Sequence, residues 1–370
     1  MMKLKLITTK VTALSIAAIL AVTGLTACGS KTTSESSSKK EASVDSENST
    51  IKFAIQPGTI RTAIVILANE LGYYKEEGVN VEFPETQDGT ATLTAISSGK
   101  SDVDVLGTGV VSDLTFIANG SDLVIFGGTA AEGGAIISKP EDVDKFKDLK
   151  NYEGIKAAMV RGDSAWVVTR AKLLEEGVDV DSVQLVEVDS QANVAQAVAK
   201  GEAEVGFLPI EFANSYADIG IEQVYQVGEL SPLYVCCRQV TSKKKLEEKH
   251  DAFVKFTKAN LRAWEYYSDE ANQDDIVKKL ADFSGQDEDY VKNYLFVNRT
   301  VLTLDPNKQG IETYYQSLKD SGFFEDDTKV DIDDHIDTEI YKTALDELIK
   351  ENPDDAFYQE QLTTFNKYNK

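Results

Sequence analysis

Histidine occurs twice in this chain and cysteine three times, and that scarcity removes most side-chain chemistry at the outset. His250 and His335 both fall in polar, helix-like surroundings, and no zinc spacing or Cys-His nucleophile arrangement can be assembled from them. The expectation is therefore no catalytic residue, no metal and no cofactor. Cys236 and Cys237 are adjacent; if Tyr234 to Arg238 is a strand, they point to opposite faces. A structural disulfide is disfavoured, which leaves small apolar packing or a reactive vicinal pair. Basic charge is also short. Lys and Arg total 38 against 62 Asp and Glu, a formal net charge of −24. That balance excludes nucleic acid and electrostatic adhesion to anionic lipid, although a pocket sets its own local field and can still take an anion. No apolar run reaches the roughly 20 residues of a membrane-spanning helix.

What the chain does have begins at its N-terminus. Lys3, Lys5 and Lys10 precede an apolar stretch from Val11 to Leu25, which ends in Leu25-Thr26-Ala27-Cys28. A basic head, a short apolar run and small residues before a cleavage point describe a secretory signal. The final four residues resemble the lipobox of bacterial lipoproteins, which implies a signal peptide over 1–27 and lipidation, palmitate included, at Cys28. Residues 28–50, rich in Ser, Thr, Lys and Glu, bury too little to offset ordering and read as a disordered tether. The implied location is the extracytoplasmic face of a cell membrane, of the Gram-positive type, held by lipid.

Beyond the tether, 42% hydrophobic and 27% charged residues suit a folded protein with more than one core. Ile51 to Ile55 alternates like a strand, and Ile60, Ile64, Leu67 and Leu71 follow at helical spacing, with Thr59 placed to cap that helix and Gly72 to stop it. The pattern continues as strand (79–83), helix (90–98), strand (103–106), helix (111–118) and strand (123–126). It restarts after Pro140 with strand (155–160), helix (164–175), strand (183–188), helix (193–200) and strand (203–208). Such alternation predicts βαβ units and largely parallel sheets. A repeat supports two similar lobes: Ala95 to Leu106 matches Ala197 to Leu208, and Glu76-Glu77-Gly78-Val79 recurs as Glu175-Glu176-Gly177-Val178. After Thr241 strands disappear, and helices are expected over 252–267, 276–283, 309–318 and 338–349. The chain is expected to leave lobe 1 near Ile136-Ile137 and return near Tyr234-Val235, so lobe 1 comprises 51–137 and 236–370 and lobe 2 comprises 138–235. Two crossing strands would make a hinge.

The stretch from Leu67 to Glu82, followed by Asp88-Gly89 and Gly99-Lys100-Ser101-Asp102-Val103, resembles the nitrate/sulfonate/taurine (SsuA/THI5-like) solute-binding lipoproteins of ABC importers. The likeness covers about 51–240 and weakens in the C-terminal helices. It implies an α/β, two-lobed, periplasmic-binding-protein-like type II fold with a hinge and extra C-terminal helices. It further implies a non-enzymatic monomer that closes on a small solute and delivers it to an ABC permease. A surface-anchored sensor or adhesin, or an enzyme on the same fold, are the alternatives.

In open α/β sheets, ligands sit beyond the carboxyl ends of strands, where helix N-termini offer unpaired N–H groups. That rule selects Gln56 and Thr59 after the first strand and Asp88, Gly89 and Thr90 after the second. It selects Gly107, Thr108 and Gly109 after the third, whose glycines permit close backbone approach, and Thr129 after the fourth. In lobe 2 it selects Arg161, Ser164, Asp189 and Glu211. Arg161 could grip an oxyanion in two places, and Trp166 could stack on a ring or belong to the core. Asp189 and Glu211 suit a donor-bearing solute, so a small anionic or zwitterionic ligand, aromatic in some cases, is expected.

Overall fold

The computed structural model describes residues 49–370 apart from 211, 213–216, 298–299 and 325–328. Cys28, the expected signal peptide and Glu211 therefore lie outside the described residues. The strands, and the helices of eight or more residues, run as follows. β1 (Thr50–Ala54), α1 (Ala63–Glu70), β2 (Asn80–Glu82), α2 (Gly89–Ser97), β3 (Val105–Gly109), α3 (Val110–Ala118) and β4 (Leu123–Ala131) come first. β5 (Gly134–Ser138), β6 (Lys156–Met159), α4 (Ser164–Glu175), β7 (Gln184–Glu187), α5 (Gln191–Lys200), β8 (Val205–Pro209) and β9 (Glu222–Gln226) follow. The chain ends with β10 (Val235–Ser242), α6 (His250–Ser268), α7 (Gln273–Ser284), β11 (Val301–Leu302), α8 (Lys308–Asp320), α9 (Glu339–Glu351) and α10 (Ala356–Tyr368). Among the described residues no helix is long and apolar enough to cross a membrane.

The strands form two sheets, ordered β11-β4-β10-β3-β1-β2 and β7-β6-β8-β5-β9. In each, three strands are parallel, with the second, first and third of the lobe in that spatial order. A strand arriving from elsewhere in the chain then pairs antiparallel beside the third: β10 against β3, and β5 against β8. The sheets are thus mixed, not largely parallel, because the chain crosses between lobes once outward and once back. Ile136 and Ile137, counted above with lobe 1, pair in the second sheet. The outward crossing falls at Glu132–Gly133, and the return lies between β9 and β10.

The repeated Glu-Glu-Gly-Val segments end helices. Gly78 and Gly177 adopt φ of 72° and 78°, the left-handed region that a helix stop needs and glycine enters without strain. The valines after them, Val79 and Val178, are buried. The first copy is also tied to the C-terminal helices: Arg262 of α6 donates to Glu76 (2.6 Å) and Glu77 (2.7 Å). α6 is amphipathic over 19 residues and buries Phe253, Phe256 and Ala259 against the first sheet. Phe256 stacks on Phe53 at 6.0 Å and on Tyr74 at 5.5 Å between ring centroids. A second core joins the lobes through Leu106, Leu114, Trp166, Phe207 and Tyr314. The third lies under α5, on the far face of the second sheet.

The crossings are strapped together. Glu132 and Leu233 take left-handed φ values of 57° and 58°, conformations rare for residues with side chains. The Leu233 N–H donates to Glu132 Oε1 at 2.8 Å, and the Glu132 N–H donates to the Tyr234 carbonyl at 3.0 Å. Gly134 N–H donates to the Tyr234 hydroxyl at 2.7 Å. Gly228 lies so close to the Glu132 carboxylate that a side chain there would collide with it.

Candidate functional site

Where the C-terminal ends of the parallel strands face each other across the crossings, the protein forms a partly open cavity of ≈ 250 Å³. Lobe 1 contributes Arg61, the first turn of α3 and the cysteine pair; lobe 2 contributes Val160 to Ala165, Gln191 and Pro209. A smaller hollow of ≈ 80 Å³ shares Arg61, Gly109 and Cys237 with it and runs along lobe 1.

Three helix N-termini border this space, and they differ electrostatically. At α4, Asp163 accepts from Ala165 N–H (2.8 Å) and Trp166 N–H (3.3 Å); burial nevertheless pushes its carboxyl up to about 6. At α5, Ser190 accepts from Asn193 N–H at 3.3 Å, and the buried Oε1 of Gln191 has no protein hydrogen-bond partner. At α3 the N-cap is Gly109, with no side chain to occupy the first-turn N–H groups. Asp113, in that same turn, is fully buried without a hydrogen-bond partner, and desolvation pushes its carboxyl well above the usual range. Burial thus disfavours the charge on Asp113, so the positive end of α3 is little compensated from within its own first turn, which favours an anion there. Arg61 and Arg161 add a guanidinium from each lobe, and Arg161 also lies 6.0 Å from the Phe323 ring. Glu132 and Asp163 are the acids on the wall.

Of the residues chosen from sequence, Gln56, Thr59, Gly89, Gly107, Thr108, Gly109 and Thr129 line the smaller hollow. Gly109, Arg161 and Ser164 line the larger cavity. Several local details differ from expectation. Gly107 to Gly109 and Thr129 lie inside β3 and β4, not in loops after them, because both strands run on toward the crossing. A side chain at Gly107 would meet Thr62, Thr129 and Phe53 at 3.0 to 3.3 Å, close enough that these neighbours would have to shift, whereas Gly109 faces open space. Thr59 does not cap α1, which starts at Ala63. Asp88 caps α2 by accepting from Ala91 N–H at 3.0 Å, Thr90 is exposed on that helix, and Asp189 is exposed outside the cavity. Trp166 is buried against Phe207, ring centroids 5.3 Å apart, and borders a separate hollow of ≈ 140 Å³.

The wall residues that sequence reasoning passed over are Arg61, Glu132, Asp163 and the cysteines. The cysteines correct a specific expectation. β10 pairs with β4 through Val235–Ala131 and then Cys237–Ala130, so Cys236 is an extra residue in a β-bulge. The bulge breaks the up-down alternation and brings the two sulfurs to 3.4 Å, both lining one cavity. Behind them the fully buried Arg238 donates from Nη1 to the carbonyls of Cys237 (2.9 Å) and Ala130 (3.2 Å). Burial pulls its guanidinium down to about 10, still charged at neutral pH. Neither histidine lines this cavity: His335 is buried with Nδ1 2.7 Å from the Leu123 carbonyl, and His250 is exposed.

Comparison with known proteins places this architecture. The chain is 25% identical over 250 residues to the Bacillus subtilis (strain 168) protein named "Putative binding protein YtlA", covering 65% of this chain and 73% of that one. Its fold is similar to that of the periplasmic aliphatic sulphonate binding protein SsuA from Escherichia coli (TM-score 0.58, 16% identity), across 78% of this chain and 92% of that one. It is also similar to the desulfurization enzyme DSZB (TM-score 0.54, 15% identity), across 80% and 99% respectively. The architecture is the two-lobed periplasmic-binding-protein fold with additional C-terminal helices. The family described as "NMT1/THI5 like" matches residues 59–274, more than half of the chain, and this protein belongs to it.

Proposed function

We propose that this protein is the solute-binding component of an ABC importer, and that it holds a small anionic or zwitterionic solute between its lobes. The observation that carries the reading is the cavity at the crossings, with Arg61 from one lobe, Arg161 from the other and the uncapped N-terminus of α3 on its wall. A ligand touching both arginines stabilises the closed arrangement by its differential affinity for it. The name of its SsuA-like structural neighbour, a sulphonate binder, supports an anion. Lipidation at Cys28 and a tether from there to the first strand would keep the protein beside its permease. The lobes in this proposal are 51–132 with 235–370, and 133–234.

Thermal unfolding in a panel of sulfonates, carboxylates, pyrimidines and amino acids tests it, because a ligand that binds only the native state raises the melting temperature. For the ligand found, calorimetry on Arg61→Ala and Arg161→Ala is expected to show losses of roughly ten- to hundredfold each, the size of a charge-assisted hydrogen bond of about 1.5–3 kcal/mol. A panel that produces no shift, or a ligand indifferent to both substitutions, overturns the reading.

A further inference from the structure

The solute reading gives the cysteine pair no role, yet its geometry is unusual. The bulge in β10 turns two adjacent thiols onto one cavity wall with their sulfurs 3.4 Å apart, and they are not joined in a disulfide. Cys236 is half-buried and Cys237 buried. We propose that Cys236 and Cys237 form a two-thiol capture site, opening on the inter-lobe cavity, for a neutral trivalent metalloid hydroxide of the arsenite type.

Coordination geometry selects this class of ligand. A metal held linearly between two thiolates, with bonds of about 2.3 Å, needs its sulfurs roughly 4.6 Å apart. Sulfurs 3.4 Å apart on bonds of about 2.3 Å subtend roughly 95°, the angle of a pyramidal trivalent centre. A tetrahedral zinc-type site needs further ligands, and no group of three or more His, Cys, Asp or Glu able to hold a metal exists among the described residues.

Electrostatics selects the same class. Glu132 and Asp163 share the cavity wall with Arg61, but the ionised partners acting on Cys236 from outside the pair are Arg61 and the Arg238 guanidinium behind it, so a cation approaching the sulfurs meets positive charge. The hydrogen bond with Cys237, together with burial, pushes the Cys236 thiol well up despite the opposing pull of Arg61 and Arg238, which favours its neutral form. A neutral trihydroxide suits such a site. Two S–H bonds and two metalloid–oxygen bonds break, two metalloid–sulfur bonds form, and each thiol proton leaves on a hydroxide as water. No electrons are transferred, and the remaining hydroxyl faces the cavity. Neither charge nor a third protein ligand is required.

The test uses the full chain carrying Cys28→Ser, so that only the pair reports, reduced and then treated with sodium arsenite or phenylarsine oxide. Native mass spectrometry is expected to show one arsenic per chain, with both thiols protected from maleimide and released by a small dithiol. Cys236→Ser and Cys237→Ser are each expected to lose at least a hundredfold in affinity, since a chelate becomes a single bond, while circular dichroism confirms that each is folded. Binding that survives in either variant overturns the site. Equal affinity in the urea-unfolded chain overturns the role of the bulge. Because arsenite is the probe, neither outcome depends on which solute the cavity carries.

Discussion

Asp163 sets two forces against each other, and the balance is measurable. Its carboxylate accepts two N–H bonds at the start of α4, an arrangement that stabilises negative charge. Burial opposes this and raises the group from 3.8 to about 6. In the sense of linkage, a raised acid favours the folded state most when protonated. Its contribution is fully present below the unfolded value near 3.8 and is lost as pH rises through about 6. The difference corresponds to an upper limit of about 3 kcal/mol at 1.36 kcal/mol per unit, since the residue keeps some exposed surface. Asp163→Asn keeps an oxygen to cap the helix and removes the charge. Urea unfolding of both chains at pH 4.5 and 7.5 is the assay. The variant is expected to exceed wild type by no more than about 1 kcal/mol at pH 4.5 and by up to about 3 kcal/mol at pH 7.5. Because Asp163 lines the cavity, wild-type affinity for an anionic solute should also fall between pH 5 and 7, and the variant's should not. A variant less stable than wild type at pH 7.5 would refute the reasoning, showing that the helix terminus outweighs burial.

Two further substitutions probe the scaffold. Gly228→Ala places a methyl group against the Glu132 carboxylate; a cost of about 1–3 kcal/mol is expected, and Glu132→Ala in the same chain should recover part of it in urea unfolding. Asp104 is 1% exposed and bonded to Lys245 (2.9 Å), Lys249 (2.8 Å) and the Lys52 N–H (2.9 Å). Asp104→Ala should cost about 3–5 kcal/mol by stranding two half-buried ammonium groups, and a loss below 1 kcal/mol would show that water replaces the carboxylate.

The legibility of this fold followed the physics of each signal. α4 begins at Ser164 and ends at Glu175 as expected, because the polar cap before it and the glycine after it are local properties. Ile136 and Ile137 look in one dimension like a crossing strand at the end of lobe 1, because all five residues of β5 are buried and a fully buried run has no alternation to show which sheet it joins. β3 and β4 extend through glycines that look like turns in one dimension. The rule about strand ends found much of the lobe 1 wall, since it needs only strand direction. It could not find Glu132, which depends on the return crossing more than 90 residues later, nor the shared face of Cys236 and Cys237. That face depends on a register shift against β4, and register is a property of pairs of strands. The signal for Arg61 was present, a lone guanidinium just beyond the first strand, but only the facing lobe gives it meaning.

The position of β10 also has a consequence for how the molecule is made. All five strands of the second sheet are on hand once Gln226 has been synthesised, and they lie within one continuous segment. In the first sheet, β3 and β4 are not neighbours; β10 lies between them and pairs with both. Until Ser242 has left the ribosome, that sheet therefore has a gap at its centre, with two unpaired edges facing each other. During vectorial synthesis the later-encoded lobe can be complete while the earlier-encoded one still waits for its middle strand. Non-local pairing of this kind closes slowly.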